Sequence, residues 1–360
     1  MKLQLPINNV SFGQVSTAYL RYLFDQKIDA EIIPIGNQLD LSSQDSLSED
    51  FLKWIKDKTS DFLTSWDRNQ KLFKLWHLNG SLESYSNKQI LFSFYELDNP
   101  TKQELNIIKN NYKVLFSSKF TCEVFKNAGA SNVEYIPLFF DSFNFHRKDK
   151  KYFDGRITFN LTGKFEKRKH HAKIIKTWLK KYGNNPKYSL QCAIYNPFFE
   201  IKDNQNIIRS LLDGKNYFNI NFLQFMQTNA MYNDYLNSGD IIIGMSGGEG
   251  WGLPEFHSLA LGKHGVILDA HSYKEWADKD NSVLVSCADK KIDVYDGVFF
   301  NPGDKFNQGQ IFDFDEESFI EGCELAIKRF ESKPVNDAGI LLQDKFTIKK
   351  MHDNISKIIS

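Results

Sequence analysis

The chain has 360 residues, of which 41% are hydrophobic and 25% are charged, and its 45 basic and 45 acidic side chains give a formal net charge of zero. This length exceeds what one hydrophobic core usually supports, so the sequence predicts two domains. The balanced charge excludes the global basic excess that is typical of a strong nucleic-acid binder.

The cysteines Cys122, Cys192, Cys287 and Cys323 are scattered, without a CxxC pair or zinc-site spacing. They are predicted to be reduced, mostly buried thiols. The N-terminal stretch MKLQLPINNVSFG reaches proline and asparagine too early for a signal peptide, and no apolar run approaches the length of a membrane span. We therefore expect a cytoplasmic protein without a transmembrane segment.

Strand and helix patterns alternate along the first part of the chain. Strands are predicted at MKLQLPI, AEIIPI, KLFKLWHLNG, KQILFSFYE, YKVLFSS and NVEYIPL. Helices are predicted between them at VSTAYLRYLFDQK, QDSLSEDFLKWIKDKTSDFLTSW, TKQELNIIKNN and KFTCEVFKNAG. Such an alternation builds a parallel sheet that is flanked by helices.

The alternation breaks in the charged and aromatic stretch FDSFNFHRKDKKYFDG and then resumes. Strands follow at RITFNLTG, YSLQCAIYN, YFNINFLQF, DIIIGM, HGVILDA and NSVLVSC. Helices are predicted at KHHAKIIKTWLKKYG, NQNIIRSLLDG and NAMYNDYLNSG, and the last amphipathic segments are DEESFIEGCELAIKRFES and FTIKKMHDNISKIIS. The break near residue 150 predicts a domain boundary.

The predicted fold is α/β, with two Rossmann-like doubly wound domains that face each other across a cleft. Residues 1–150 would form the N-terminal domain and residues 151–335 the C-terminal domain. Residues 336–360 would form a C-terminal helix that packs back toward the N-terminal domain. Because ligands of such sheets bind beyond the carboxyl ends of the strands, the cleft is the predicted site.

The stretch SGGEGWGLPEFHSLALGKHGVI, residues 246–267, follows an apolar strand. Its Ser-Gly-Gly start permits a tight turn, and Pro254 can begin a helix. The unpaired N–H groups of residues 250–253 and the helix dipole favour a phosphate. Glu249 would repel that phosphate, so its carboxylate is predicted to reach hydroxyl groups. A phosphate beside a polyol indicates a sugar nucleotide.

The segment EGWGLPEFHSLALGKHGVI resembles the EGFGLPxxEAxAxGxPVI signature of GT-B fold glycosyltransferases, especially the retaining enzymes of glycosyltransferase family 4. GKFEKRKHH resembles the GRxxxRKG loop of that family, and YLNSGDIIIGMSGGEG resembles its YxxADxxVxPSxxEG approach. In the first half, FSFYELDNP and VLFSSKFTCEVFKNAGASNVEYIPLFFDSFNF are similar to the family's pattern. Together these motifs extend over nearly the whole chain.

The resemblance implies roles for residues of the C-terminal domain. Glu249 matches the glutamate that contacts donor-sugar hydroxyls. Lys164 and Lys169 fall where the family places cations on the donor diphosphate, and preplaced cations stabilise the charge that leaves with it. Arg168 is an alternative to Lys169 and the better phosphate fork. Donor binding is also implied for the loop residues Gly248, Gly250, Trp251, Gly252 and Leu253.

One position departs from the signature. The family has a second glutamate eight residues after the first, which holds the nucleotide ribose, and here that position is His257. A histidine can form one ribose hydrogen bond but lacks the bidentate grip, so donor affinity or nucleotide choice can differ. The alternative is a histidine on the helix surface. Glu255 comes two residues early and is predicted to face elsewhere.

Three residues of the N-terminal half are further candidates. Gly13, in NNVSFGQVS, resembles part of the family's glycine-rich loop near the donor phosphates. His77 lies at the end of a predicted strand, where the family often has a histidine beside the reacting sugar, although a lone histidine is more often structural. Glu96 could orient an acceptor hydroxyl or cap the next helix.

No acidic pair of the DxD type forms a convincing metal site, so we expect no metal or cofactor beyond the nucleotide-diphosphate sugar as co-substrate. The resemblance implies a retaining hexosyltransferase whose acceptor is a glycan, a protein or a small molecule. The basic tracts GKFEKRK and HRKDKK keep open glucosyl transfer to hydroxymethylated bases of DNA. A non-catalytic nucleotide-sugar-binding module remains a further alternative, as does a sugar-nucleotide epimerase, for which no catalytic acids are apparent.

Overall fold

The computed structural model describes residues 1–60 and 67–359. In the first half of these residues a parallel six-stranded sheet has the order β2-β1-β3-β4-β5-β6. Its strands are β1 (Lys2–Ile7), β2 (Glu31–Leu39), β3 (Lys71–Leu75), β4 (Lys88–Ser93), β5 (Lys113–Phe116) and β6 (Val133–Tyr135). The accompanying helices are α1 (Ser11–Asp25), α2 (Glu49–Ser60), α3 (Lys102–Asn110) and α4 (Lys119–Asn127).

The second half contains a parallel sheet of the order β12-β11-β10-β7-β8-β9. Its strands are β7 (Ile157–Thr162), β8 (Tyr188–Ala193), β9 (Ile220–Phe222), β10 (Ile241–Gly244), β11 (His264–Leu268) and β12 (Val283–Val285). Its helices are α5 (His171–Tyr182), α6 (Ile201–Leu211), α7 (Asn229–Ser238), α8 (Leu253–Ala260) and α9 (Glu316–Ser332).

The remaining elements leave the second sheet. A hairpin of β13 (Ile292–Asp293) and β14 (Gln310–Ile311) lies between β12 and α9. After α9 the chain forms α10 (Asp337–Ile340), α11 (Leu342–Lys345) and α12 (Ile348–Ile359). Helix α12 packs on the first domain, where Tyr19 Oη lies 2.9 Å from His352 Nδ1 and Lys71 Nζ donates to the Ile358 carbonyl at 3.0 Å.

The sequence explains why these elements form. Strands β10 and β11 are buried throughout, as expected for apolar strands of a sheet that helices cover on both faces. Helix α3 begins with a capping box: the Thr101 hydroxyl accepts from Glu104 N at 3.1 Å, and the Glu104 carboxylate accepts from Thr101 N at 2.7 Å. The predicted α/β architecture with two Rossmann-like domains is confirmed.

Some boundaries differ from the prediction. Strand β3 ends at Leu75, whereas the predicted strand continued to Gly80; the chain turns before that point, where the Ser81 amide donates to the Leu78 carbonyl at 3.2 Å. The long helix predicted for residues 44–66 is observed over Glu49–Ser60, and residues 61–66 lie outside the described part. The hairpin between β12 and α9 was not predicted. All four cysteines are free thiols, three of them buried and Cys287 half-buried. Within residues 1–60 and 67–359, no helix combines the length and apolar character that crossing a membrane requires.

Candidate active site

A cleft of about 500 Å³ lies between the two domains. The N-terminal domain lines it with residues 8–12, which follow β1, and with side chains that follow β3 and β4. The C-terminal domain lines it with the loops that follow β7, β8, β9 and β10. The carboxyl ends of both parallel sheets therefore open onto one space, as expected for ligand sites in this class of fold.

The loop between β10 and α8 forms the floor of the cleft, and two glycines explain its path. Gly252 has φ +80°, and a Cβ there would lie 2.3 Å from the Tyr273 ring. A Cβ on Gly250 would lie 2.7 Å from Phe94 Cβ of the opposite domain. Only glycine fits this conformation and this close approach. Residues 250–254 line the cleft, and Pro254 lies in the first turn of α8, where it interrupts no backbone hydrogen bond.

Glu249 is held by two cations at the bottom of the cleft. Lys169 Nζ lies 2.5 Å and Arg168 Nη1 3.0 Å from the same oxygen, Glu249 Oε1. All three side chains are at most 9% exposed. Burial alone would raise the pKa of Glu249, but Arg168 and then Lys169 outweigh it and lower that pKa well below its usual range. Glu249 is therefore a carboxylate at every physiological pH.

A second acidic residue, Glu166, forms ion pairs with two of the basic side chains. Glu166 Oε1 lies 2.5 Å from Lys164 Nζ, and its Oε2 lies 2.8 Å from Arg168 Nε. Sequence reasoning missed Glu166, although its place inside the basic run GKFEKRK was a signal for an internal ion pair. Lys164, Lys169 and Arg168 all line the cleft, so the structure brings the predicted diphosphate cations together. An incoming diphosphate would compete with Glu166 and Glu249 for them.

The predicted loop residues divide into two groups. Gly250, Trp251, Gly252 and Leu253 line the cleft, and the Trp251 carbonyl accepts a hydrogen bond from Trp276 Nε1 at 2.9 Å. Gly248 lies at the domain contact instead, where a Cβ would be 2.7 Å from the Glu96 carbonyl oxygen. The Gly250 carbonyl accepts from the Ser117 hydroxyl of the other domain at 2.6 Å. This loop is thus held by both domains.

His257 lines the cleft but is nearly buried, at 4% exposure. Its ring centroid lies 4.4 Å from that of Phe145 and 5.7 Å from that of Phe140. Burial lowers the pKa of His257 to about 3, so the ring is neutral, and its Nε2 has no hydrogen-bond partner in the protein. The alternative of a histidine on the helix surface is wrong, because α8 turns this residue toward the domain interface.

Truncating His257 is expected to weaken nucleoside diphosphate binding without abolishing it. A lost neutral hydrogen bond of about 1 kcal/mol corresponds to roughly fivefold in affinity. Calorimetry on His257→Ala measures this effect, and His146→Ala, which changes an exposed histidine, is the control. His257→Glu should weaken binding further, because the phenylalanines around it give a carboxylate no compensation for desolvation. Equal affinity of all these proteins would remove His257 from the donor site.

Glu255 does not line the cleft and points inward beneath the loop. It is 3% exposed, and a Cβ on Gly244, at the end of β10, would lie 2.8 Å from its Cγ. Burial raises the pKa of Glu255 to about 7, while Lys169 lowers it and the Glu249 charge raises it. A protonated carboxyl group therefore lies under the Glu249–Lys169 pair at mildly acidic pH, which the sequence pattern did not indicate.

The raised pKa of Glu255 predicts a stability that falls as pH rises. Between the ordinary carboxyl pKa and about pH 7, the folded protein keeps a proton on Glu255 that the unfolded chain releases. The free energy of unfolding therefore decreases as the pH rises through this range. Glu255→Gln removes the titration, and we expect it to stabilise the protein at pH 8, relative to its effect at pH 5, by roughly 2 kcal/mol. Denaturant unfolding at both pH values measures this difference. Exposed Glu321→Gln is the control, and a Glu255→Gln effect that does not change with pH would contradict the assignment.

His77 and Glu96, the candidates of the N-terminal domain, line the wall that this domain contributes to the cleft. His77 lines the cleft with its ring centroid 4.3 Å from that of Phe12, and desolvation and then Lys164 lower its pKa. Glu96 Oε1 lies 3.9 Å from Arg168 Nη2, and burial raises the pKa of Glu96 although Arg168 opposes this. The alternative that Glu96 caps the next helix is wrong, because Thr101 caps α3.

Gly13 lies within α1, where a Cβ would be 2.2 Å from the Asn8 carbonyl oxygen. Its neighbours Phe12 and Gln14 line the cleft, whereas Gly13 permits the close contact of the helix with the loop after β1. Sequence reasoning also missed Tyr195 and Phe225, which line the cleft from the loops after β8 and β9. Their position at the carboxyl ends of the predicted strands YSLQCAIYN and YFNINFLQF was an available signal.

The basic tract of residues 146–151 is largely paired within the C-terminal domain. Lys148 Nζ and Lys150 Nζ lie 2.9 Å and 3.4 Å from the carboxylate oxygens of Asp234, and Lys151 pairs with Asp240. These pairs reduce the positive charge available to a polyanion. The alternative of DNA as an acceptor finds no support in this arrangement.

Among the comparisons with known proteins, the one with solved structures gives matches. No protein-family model matches the sequence, and no curated protein sequence matches it significantly. Among solved structures, the glycosyltransferase from Rickettsia africae has a TM-score of 0.67 at 11% identity, with 99% of this chain and 97% of that chain covered. HepE from Anabaena, solved with UDP and glucose, has a TM-score of 0.64 at 11% identity, with 100% and 99% covered.

Sucrose-phosphate synthase from Thermosynechococcus elongatus is similar to the same degree, with a TM-score of 0.64 at 11% identity over 99% of this chain and 97% of that chain. These identities are low, so the agreement concerns the fold. It extends over both domains. The chain therefore has the GT-B fold of these glycosyltransferases.

Proposed function

We propose that this protein transfers a hexose or a related sugar from a nucleotide-diphosphate donor to an acceptor hydroxyl, with retention of the anomeric configuration. The observation that carries the proposal is the buried Glu249–Lys169–Arg168 cluster beside the start of α8, at the bottom of the interdomain cleft. It combines a carboxylate for sugar hydroxyls with cations for a diphosphate. The HepE structure, solved with UDP and glucose, supports a donor of this class.

The donor diphosphate would lie against the start of α8. Residues 250–253 line the cleft there, and the N-terminus of a helix favours a phosphate through its unpaired N–H groups and its dipole. Lys169 and Arg168 would then shift part of their charge from Glu249 to the phosphates. Glu249 would turn to the hydroxyl groups of the sugar, with which a carboxylate can form two hydrogen bonds.

In the proposed reaction the acceptor hydroxyl attacks the anomeric carbon on the face from which the diphosphate departs. The bond from the acceptor oxygen to this carbon forms while its bond to the diphosphate oxygen breaks. The acceptor proton passes to the departing diphosphate oxygen, and Lys164, Lys169 and Arg168 stabilise the negative charge that grows there. Closing the cleft excludes water, which would otherwise hydrolyse the donor.

A thermal-shift screen with UDP-, GDP- and ADP-sugars tests the donor, since a ligand that binds the folded state raises Tm. For the donor that binds, release of the nucleoside diphosphate without added acceptor distinguishes an enzyme from a binding module. NMR of the product reports the anomeric configuration, and inversion would contradict the mechanism. We expect EDTA to leave turnover unchanged, because the cations are side chains. Membership of family 4 and a cytoplasmic location remain predictions.

A further inference from the structure

The segment of residues 288–313, here called the arm, leaves the C-terminal domain between β12 and α9. The Ala288 amide donates to the Asp313 carbonyl at 2.8 Å and closes its base, and the hairpin of β13 and β14 forms its stem. The tip of the arm reaches across the cleft to the N-terminal domain. It is thus a part of one domain whose packing depends on the other.

The arm belongs to the hydrophobic core of the N-terminal domain. Val294 and Ile311 are fully buried and Phe300 is 8% exposed, in one cluster with Leu91 and Tyr95. Removal of these apolar side chains from water favours the contact of the arm with that core. The arm is therefore a fixed wall of the interdomain space.

Polar contacts fix the register of the arm on that surface. The Asp98 carboxylate accepts hydrogen bonds from Lys291 Nζ at 2.7 Å and from the backbone N–H of Gln310 at 2.8 Å. The Glu104 carboxylate accepts from the backbone N–H of Asn307 at 2.9 Å. Gly309 lies so close that a Cβ would be 2.4 Å from Asp98 Oδ1. These contacts hold the aromatic side chains of the arm in defined positions.

A second cavity of about 190 Å³ lies under the arm, next to the main cleft. The arm lines it with Phe299, Phe300 and Phe306. Its other wall is shared with the main cleft and includes His77, Glu96 and Lys164. The cavity therefore meets the main cleft at a wall to which both domains contribute, and the loop before α8 lies next to it, since a Cβ on Gly248 would be 2.7 Å from the Glu96 carbonyl oxygen.

The lining combines aromatic rings with acidic groups. Aromatic rings bury the apolar face of a ligand ring, and carboxylates accept hydrogen bonds from its hydroxyl groups. The Glu96 side chain is 26% exposed, and its ion pair with Arg168 is long, at 3.9 Å, so this carboxylate has capacity for a ligand hydroxyl. The lining holds three carboxylates, Glu96, Glu104 and Glu166, against two cations, Lys164 and Arg168, so its charge does not favour an anionic ligand.

We propose that the cavity under the arm is the acceptor subsite and that it takes a neutral, hydroxyl-bearing ring such as a monosaccharide unit. This inference rests on the proposed glycosyl transfer. The arm also contacts a residue of the proposed donor site, because Lys164 Nζ lies 4.4 Å from the centroid of the Phe299 ring. One unpredicted element thus borders both substrates and determines which acceptor fits.

Saturation-transfer NMR on the whole protein tests the subsite with methyl α-glucoside, methyl α-mannoside and methyl β-galactoside as probes. The main cleft is first saturated with whichever of UDP, GDP and ADP binds in calorimetry. Asn79→Trp fills the cavity from an exposed lining position, and Phe306→Ala removes an aromatic wall. Val298→Ala is the matched control, because Val298 is an arm residue with 57% exposure that does not line the cavity.

We expect at least one glycoside to bind the nucleotide-saturated protein, and both cavity variants to weaken that binding by at least tenfold. Val298→Ala should bind as the wild type does, and nucleotide affinity should stay within twofold in all four proteins. The subsite is overturned if nucleotide binds and no glycoside does, if nucleotide displaces the glycoside, or if Asn79→Trp binds it normally. Stronger binding of glucose 6-phosphate would refute the neutral ligand. Failure of every nucleotide to bind would instead refute the proposed function, and with it this inference.

Discussion

Replacing Glu249 by glutamine is expected to lower turnover by about 100-fold, the loss typical of one preorganised electrostatic group. Glutamine keeps the shape of the side chain but lacks the charge that sugar hydroxyls and the cationic transition state would meet. Initial rates at saturating donor measure the effect, and exposed Glu321→Gln is the control. Near-normal turnover of Glu249→Gln would remove Glu249 from the reaction.

The same variant separates a catalytic loss from a structural one. Glu249 compensates Lys169 and Arg168, so its neutralisation leaves buried positive charge and should lower Tm. A bound nucleoside diphosphate supplies negative charge at this place. We therefore expect the nucleotide to raise the Tm of Glu249→Gln by more than it raises that of the wild type. A variant that is unstable and does not respond to nucleotide would point to a structural role alone.

Replacing Lys169 by alanine is expected to lower turnover by about 100-fold, because the diphosphate gains charge as the sugar bond breaks. Lys164→Ala should act in the same direction, with a smaller effect on stability, since Lys164 is one-third exposed while Lys169 is 9% exposed. The measurement is kcat and KM for the donor. Lys176→Ala, which changes a surface lysine paired with Asp213, is the control.

The separate changes in kcat and KM decide how the lysine variants are interpreted. A cation that binds the ground state and the transition state equally changes KM and leaves kcat intact, whereas one that meets the growing charge lowers kcat. We expect kcat to fall for both variants. Unchanged kcat and KM for either one would assign that lysine to its ion pair, with Glu249 or with Glu166.

The parts of the fold that follow from local patterns could be predicted from the sequence. Apolar strands such as β10 alternate with amphipathic helices, so the two parallel sheets follow from periodicity. The loop before α8 could be predicted because its glycines indicate a tight turn and Pro254 indicates the start of a helix. The basic run that contains Lys164 and Lys169 follows a strand, which placed it at the edge where ligands bind.

The parts that depend on distant contacts could not be predicted. Strands β13 and β14 have two residues each, and Val294 and Ile311 become core residues only through contact with the N-terminal domain. The neutral state of His257 likewise depends on Phe140 and Phe145, which precede it by more than a hundred residues. Local periodicity carries no information on such pairs.

The release of nucleoside diphosphate from UDP-, GDP- and ADP-sugars by the wild type and by Glu249→Gln tests whether Glu249 and its cations act in glycosyl transfer. We expect release from at least one donor by the wild type, about 100-fold slower release by the variant, and nucleotide binding by both proteins. Equal release by the two proteins, or release by neither although both bind the nucleotide, would contradict the claim that Glu249 and its cations form the active site of a glycosyltransferase.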